Sequence, residues 1–224
     1  SDHLMSLRLR KMKMMAGLHV TTVPEPKICL MIDVGEEQGL DDLIRCILCQ
    51  TRKPDAVAFF MHTSFPESSM EKITSELRGM QVSSFIYYQH QLYQPVRERM
   101  NCDYYMVWQR GCVYGDHYIE DYLLALRYSP HDVLCKRSHF VQTGDQVNIV
   151  DPDNSFCRVT RAPLSTVMMG KDQLAGFNFL QMVDFESNYD AFDERMVSLD
   201  PMNYLKTDIS PGGALHPVWK ELNV

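Results

Sequence analysis

What the sequence lacks narrows it first. No apolar run approaches the ~20 residues that a membrane-spanning helix needs. The longest, Ala56–Met61 (AVAFFM) and Ile28–Ile32 (ICLMI), have the length of strands. The N-terminus carries no uninterrupted apolar stretch of the signal-peptide kind. Positive charge is in deficit: 22 Lys and Arg stand against 29 Asp and Glu, a formal net charge of −7. That sign disfavours nonspecific attraction to nucleic acid and to anionic membrane surfaces. Together these absences predict a soluble, cytoplasmic protein with no membrane span and no nucleic-acid partner. No Gly-rich phosphate loop of the GxGxxG or GxxxxGK[ST] type is present, which argues against the common dinucleotide and P-loop folds. The seven cysteines are odd in number and irregularly spaced, which disfavours a disulfide framework. Cys46 and Cys49 form a CxxC without a second one to complete a zinc site, and helical periodicity assigns them to packing. Strand alternation would set Cys135 and His139 on one face, but two ligands without others nearby are too few for a metal.

What is present is enough apolar content, 45% of residues, to bury one substantial core. Residues 1–26 read as an N-terminal arm or linker. They carry Arg8, Arg10, Lys11 and Lys13 and end in Pro24-Glu25-Pro26, a stiff extended connector. A basic, Met-rich lead-in of this kind is compatible with a domain cut from a longer polypeptide.

From Lys27 onward, strand and helix patterns alternate. ICLMID reads as a buried strand, and Leu40, Leu43, Ile44, Ile47 and Leu48 then recur with the spacing of one helix face. AVAFFMH predicts a second strand and SSMEKITSELRGM a second helix, with Ser68 and Glu71 as a capping box and Gly79 as terminator. VSSFIYYQ follows as a third strand, then a helical stretch around QPVRERM, the strand DYYMVW, the turn RGCVYGD, and a helix burying Ile119, Tyr122, Leu123 and Leu126. Asp116 is placed to cap that helix. DVLCKRSHFV and STVMM predict further strands. Repeated β-α-β order implies a mainly parallel sheet flanked by helices in a single α/β domain spanning residues 27–224. Ligands in such sheets gather beyond the carboxyl ends of the strands, here DVGEEQG, HTSFPES and QRGCVYG.

These segments, in this order, resemble the family-2 glycosyltransferases, whose domain has the GT-A fold. Lys27 to Asp55 is similar to that family's opening strand, loop and helix, closing on Gln50, Thr51 and Pro54. Cys102 to Phe140 resembles a bacterial subgroup, matched at Tyr114, Gly115, Tyr118, Asp121 and the run Asp132 to Lys136, and APLSTVMMGKDQL resembles the segment that follows. The likeness covers about residues 27–192. It implies a Rossmann-like GT-A fold, a nucleotide-sugar donor of the UDP or GDP type, a glycan acceptor and a role in polysaccharide biosynthesis.

The resemblance breaks where the chemistry is concentrated. Members of the family carry a group such as Asp-Asp-Asp at the end of the fourth strand, because a divalent cation needs hard carboxylate oxygens to bridge it to a diphosphate. Here Gln109, Arg110, Gly111 and Cys112 stand there. No firmly bound metal is therefore expected, and the DXD-type motif is degenerate. A guanidinium can neutralise a diphosphate bidentately, which makes Arg110 the candidate for that task, the other reading being a solvated turn. Where the family often places an Asp near the nucleobase, this chain has His62, Thr63 and Ser64. The usual Glu-Asp pair that supplies a base is likewise missing from DFESNYDAFDE, leaving Asp190 as candidate base or as a surface acid.

The resulting assignment has Arg110 and Asp190 as catalytic residues. Asp33, Gly35 and Glu36 form part of a loop cradling the nucleoside. His62, Trp108, Gln109 and Lys136 complete the substrate contacts, with Trp108 facing the ligand. Two readings stand side by side: a metal-independent transferase, and a catalytically dead pseudo-glycosyltransferase kept as a binding or assembly module beside other domains or subunits of a glycan-assembly protein.

Overall fold

A computed structural model describes residues 24–34, 40–61, 66–88, 101–128, 133–174, 188–190 and 196–207. The opening runs as expected: β1 (Ile28–Val34), α1 (Leu40–Cys49), β2 (Ala56–Met61), α2 (Glu67–Gly79) and β3 (Ser83–Tyr88). Next come β4 (Tyr104–Trp108), β5 (Cys112–Tyr114) and α3 (Tyr118–Tyr128). The remainder is mostly strand: β6 (Val133–Cys135), β7 (His139–Thr143), β8 (Gln146–Val150), β9 (Arg158–Val159), β10 (Arg161–Pro163) and β11 (Val167–Gly170). The one-turn helix α4 (Lys171–Leu174) precedes β12 (Asn188–Asp190), β13 (Met196–Ser198) and β14 (Tyr204–Thr207).

Eight strands form one mixed sheet in the order β3-β2-β1-β4-β11-β6-β13-β9. β3, β2, β1 and β4 run parallel. β11 opposes both β4 and β6, β13 is parallel to β6, and β9 is antiparallel to β13. The carboxyl ends of β1, β2, β4, β6 and β13 therefore share one edge.

Helices flank this sheet. Leu40, Leu43, Ile44 and Ile47 of α1, Met70, Ile73 and Leu77 of α2, and Tyr118, Ile119, Tyr122 and Leu123 of α3 pack on one face against Ile28, Leu30, Ile32, Val57, Phe59, Met106 and Trp108. Each such side chain contributes about 2 kcal/mol when fully buried, so the periodic stripe read from the sequence is what seats α1. Cys29, Met31, Ala58, Phe60, Tyr105 and Val107 point to the opposite face, where Ala162, Leu164 and Leu174 join them.

Four local expectations are corrected. RGCVYGD is not all turn, because Cys112–Tyr114 is β5, the edge strand of a second sheet ordered β5-β14-β7-β8. DVLCKRSHFV is two strands in two sheets, so Cys135 and His139 do not share a strand face. α2 starts after Pro66 with no side-chain cap, which removes the capping box at Ser68. Its termination falls to Gln81, which takes the left-handed conformation at φ 63, while Gly79 closes the helix itself. The stretch around QPVRERM lies outside the described residues.

Candidate functional site at the carboxyl edge

Asp33 and Gln109 each stand one residue past the Ile32–Trp108 pair that ends the β1–β4 ladder, so both reach the carboxyl edge together. Asp33 alternates away from Ile32 and is half-buried. After Trp108 the chain turns through Gln109, Arg110 and Gly111 and reverses into β5. Gly111 permits this, because its φ of +74° lies in the region that a Cβ disfavours.

The turn is held from two sides. The Gln109 amide N–H donates to the Tyr114 hydroxyl at 2.8 Å. The Thr207 amide N–H donates to the Gly111 carbonyl at 2.9 Å, tying the turn to β14. Arg110, between these anchors, is partly exposed.

Beneath the turn lies an aromatic block. Trp108 stacks on Tyr114 with ring centroids 4.0 Å apart and planes 3° from parallel. Tyr118 meets both rings edge-on, at 5.8 Å from Trp108 and 4.9 Å from Tyr114. The hydroxyls converge on the short 3-10 turn Leu164–Thr166, which leads into β11 at the same edge. Tyr114 and Tyr118 both donate to the Ser165 carbonyl, Tyr122 donates to the Thr166 carbonyl, and Tyr204 exchanges hydrogen bonds with Ser165 Oγ at 2.9 Å and Cys112 Sγ at 3.1 Å. Burial raises the pKa of Tyr114, Tyr118, Tyr122 and Tyr204 above the ordinary tyrosine value. All four are protonated donors at neutral pH, and none is a general base.

Two expected substrate contacts are elsewhere. Trp108 is fully buried within this block and offers no ligand-facing surface; strand alternation aims it at the helical face together with Met106. Lys136 is 0% exposed. Its Nζ lies 3.1 Å from Asp121 Oδ2, 3.3 Å from Asp200 Oδ1 and 3.1 Å from the Asp200 carbonyl. An ammonium has three hydrogens, and these partners use them, so none is left for a phosphate. The neighbouring Arg137 pairs with Asp151 at 2.7 Å.

Gly35, Glu36 and His62 lie outside the described residues. Asp190 ends β12, in register with Arg161 of β10 in a separate two-stranded sheet; its side chain is outside the description. A divalent cation at the turn would find an amide, a guanidinium, a glycine and the Cys112 thiol already bonded to Tyr204. Those groups do not fit the hard-anion requirement of Mg²⁺ or Mn²⁺. Among the described residues no three His, Cys, Asp or Glu side chains come together as a metal site. No described helix is long and apolar enough to cross a membrane.

Sequence reasoning missed Tyr114 as a partner of the turn and Gln50 as a joint. The buried Gln50 amide donates to the Gly115 carbonyl at 2.6 Å and accepts from the Ile119 amide at 3.1 Å. Thr51 adds a bond from its amide to the Asp116 carbonyl at 2.7 Å. Gln50 and Thr51, two of the residues that carry the resemblance, therefore clamp the end of α1 to the start of α3. Asp116 contributes its carbonyl to that clamp.

No family model matches the sequence, and no curated protein matches it by sequence. Solved structures do match. S. aureus TarS residues 1–349 align over 81% of this chain and 60% of TarS at 11% identity, with a TM-score of 0.56. The same protein in complex with UDP-GlcNAc aligns over 88% of this chain and 64% of that one at 11% identity and a TM-score of 0.54. Its UDP complex aligns over 81% and 60% at 12% identity, with a TM-score of 0.55. This chain thus spans under two thirds of those structures and shares the fold of a glycosyltransferase.

Proposed function

We infer that the chain is a glycosyltransferase-like domain of glycan or polysaccharide biosynthesis. It binds a UDP- or GDP-type nucleotide sugar at the carboxyl edge and meets the diphosphate with Arg110 in place of a carboxylate-held cation. The observation that carries this reading is the turn Gln109–Gly111, anchored at both ends and presenting Arg110 at the strand-end edge of a fold shared with TarS, which has been solved with UDP-GlcNAc and with UDP. In transfer, an acceptor hydroxyl attacks the anomeric carbon, the bond from that carbon to the diphosphate oxygen breaks, and the electron pair departs with the nucleoside diphosphate. A guanidinium stabilises that developing charge without a metal. Asp190 is the group assigned to take the acceptor proton. Asp33, with Gly35 and Glu36, is assigned to the nucleoside, His62 to the base, and Gln109 to the donor beside Arg110.

A second reading, a pseudo-glycosyltransferase that binds or assembles without turnover, is favoured by the loss of Trp108 and Lys136 to the interior. The experiment is a thermal-shift series with UDP, GDP and their sugars, followed by donor hydrolysis with Mn²⁺ and with EDTA. At 100 times Kd a native-state ligand adds ~2.7 kcal/mol of stability. Binding and EDTA-resistant hydrolysis support the transferase; binding without hydrolysis supports the module. The absence of any nucleotide shift refutes the transferase and leaves only the assembly role, and strict dependence on Mn²⁺ refutes the role of Arg110.

A further inference from the structure

We propose that Tyr114 is the positioning residue of this site, setting the direction of Arg110 by fixing the backbone of the turn from below; this rests on the donor-site reading above. Tyr114 is one residue with two grips. Its hydroxyl accepts the Gln109 amide and donates to the Ser165 carbonyl, 3.4 Å away, so the start of the turn is tied to the 3-10 turn preceding β11. Its ring lies flat on Trp108, the last residue of β4. The strand end and the first turn amide are thus referred to the same side chain. Because β5 itself pairs with β14, through Tyr204 opposite Tyr114, the far end of the turn is fixed to the same small sheet. The backbone is thereby held on either side of Arg110. Holding the turn beforehand removes part of the cost of ordering it when a ligand binds.

The test uses Tyr114→Phe, which keeps the stack and removes the hydroxyl, with Tyr122→Phe as a control that removes a neighbouring buried hydroxyl bonded to Thr166 rather than to the turn. Amide hydrogen exchange is read at Gln109 and Gly111, and calorimetric affinity is measured for UDP and for uridine. Expected for Tyr114→Phe are faster exchange at Gln109 and about fivefold weaker UDP binding, the fold-change of one net hydrogen bond, with uridine unchanged because it has no diphosphate to meet the turn. Tyr122→Phe should lower the melting temperature without altering the ratio of UDP to uridine affinity. Unchanged Gln109 exchange, or equal losses for UDP and uridine, overturns the inference. If wild type binds neither nucleotide, the donor-site reading itself fails and Tyr114 is left with a structural role, whatever the exchange data show.

Discussion

Arg110 and Lys136 stand at the same edge of the same sheet, after the parallel strands β4 and β6, yet they end in opposite environments. Lys136 follows a strand enclosed by β11 and β13, beneath Asp121 of α3 and beside Asp200, which lies two residues past the end of β13. It has no route to water. Two acids and a carbonyl neutralise and saturate it, and the rings of Tyr118 and Tyr122 lie 5.8 and 5.7 Å from its Nζ. Arg110 follows a strand from which the chain turns away at Gly111, so its side chain stays partly exposed. Both connections leave the large sheet for the second one, β4 into β5 and β6 into β7, so the difference lies in what covers the strand end. Where Asp121 of α3 and Asp200 close over it, the charge is compensated internally.

The largest effect expected from breaking this comparison is at Lys136. Lys136→Met leaves Asp121 and Asp200 facing each other without their cation, and should cost about 3 kcal/mol of unfolding free energy, measured by urea denaturation. Its pH dependence supplies a second reading. Burial raises the Asp121 pKa above the ordinary carboxylate value, and Lys136 pulls against that rise. A carboxyl with a raised folded pKa binds its proton more tightly in the native state. The stability it contributes is therefore full below the unfolded pKa and is lost as pH rises through the folded one. Removing Lys136 releases Asp121 to a still higher pKa, so the deficit of the variant should grow with pH across the acid range. A deficit that is flat with pH would mean that Lys136 acts by packing alone.

Arg110→Ala should do the reverse. Stability should change by less than about 1 kcal/mol, as for surface substitutions. Affinity for a nucleoside diphosphate should fall by about 2 kcal/mol, roughly thirtyfold, the worth of a charge-assisted hydrogen bond. Equal weakening of uridine and UDP would remove Arg110 from the diphosphate.

How much of this contrast was legible in the sequence follows from the range of the forces involved. β1, β2 and β4 were visible because they are short, continuous apolar runs, and α1 because its stripe has the helical period. These are local signals. β5 was hidden in a turn because it is three residues long and is made a strand only by β14, some ninety residues on. The interior fate of Lys136 was equally non-local: Asp200 is 64 positions away, and alternation alone could say only that Lys136 and Arg137 face opposite ways. Trp108 was misplaced because an aromatic at a strand end serves a ligand or a core equally well, and only the Tyr114 ring stacked on it decides. That no carboxylate stands among Gln109 to Cys112 was readable directly, since it depends on residue identity, whereas the grip of Tyr114 on Gln109 depends on a reversal that begins at Gly111.

That reversal can be tested at Gly111 itself. A Cβ there would stand 3.4 Å from the Thr207 carbonyl on a left-handed backbone. Gly111→Ala should therefore destabilise by about 1 kcal/mol, with most of the loss coming from the backbone. It should also weaken UDP more than uridine, because the anchored turn must shift. A variant of full stability with intact UDP binding would show that the turn tolerates another path and that its exact backbone does not set Arg110.

The smallest effects compare two glycine questions of opposite sign at the end of α2, away from the site. Gly79 lies in the helix with open space where a Cβ would stand, so Gly79→Ala should stabilise by about 0.5 kcal/mol. Gln81, not Gly79, holds the left-handed position at φ 63, so Gln81→Gly should gain a similar amount by relieving a side chain from a conformation it disfavours. Thermal unfolding of both variants separates the cases. A loss at Gly79→Ala would return the helix stop to Gly79, as its place in the sequence suggests. Gains at both would establish that the chain's reversals are enforced where φ is positive, at Gln81 here and at Gly111 beneath the candidate site, rather than wherever a glycine happens to stand.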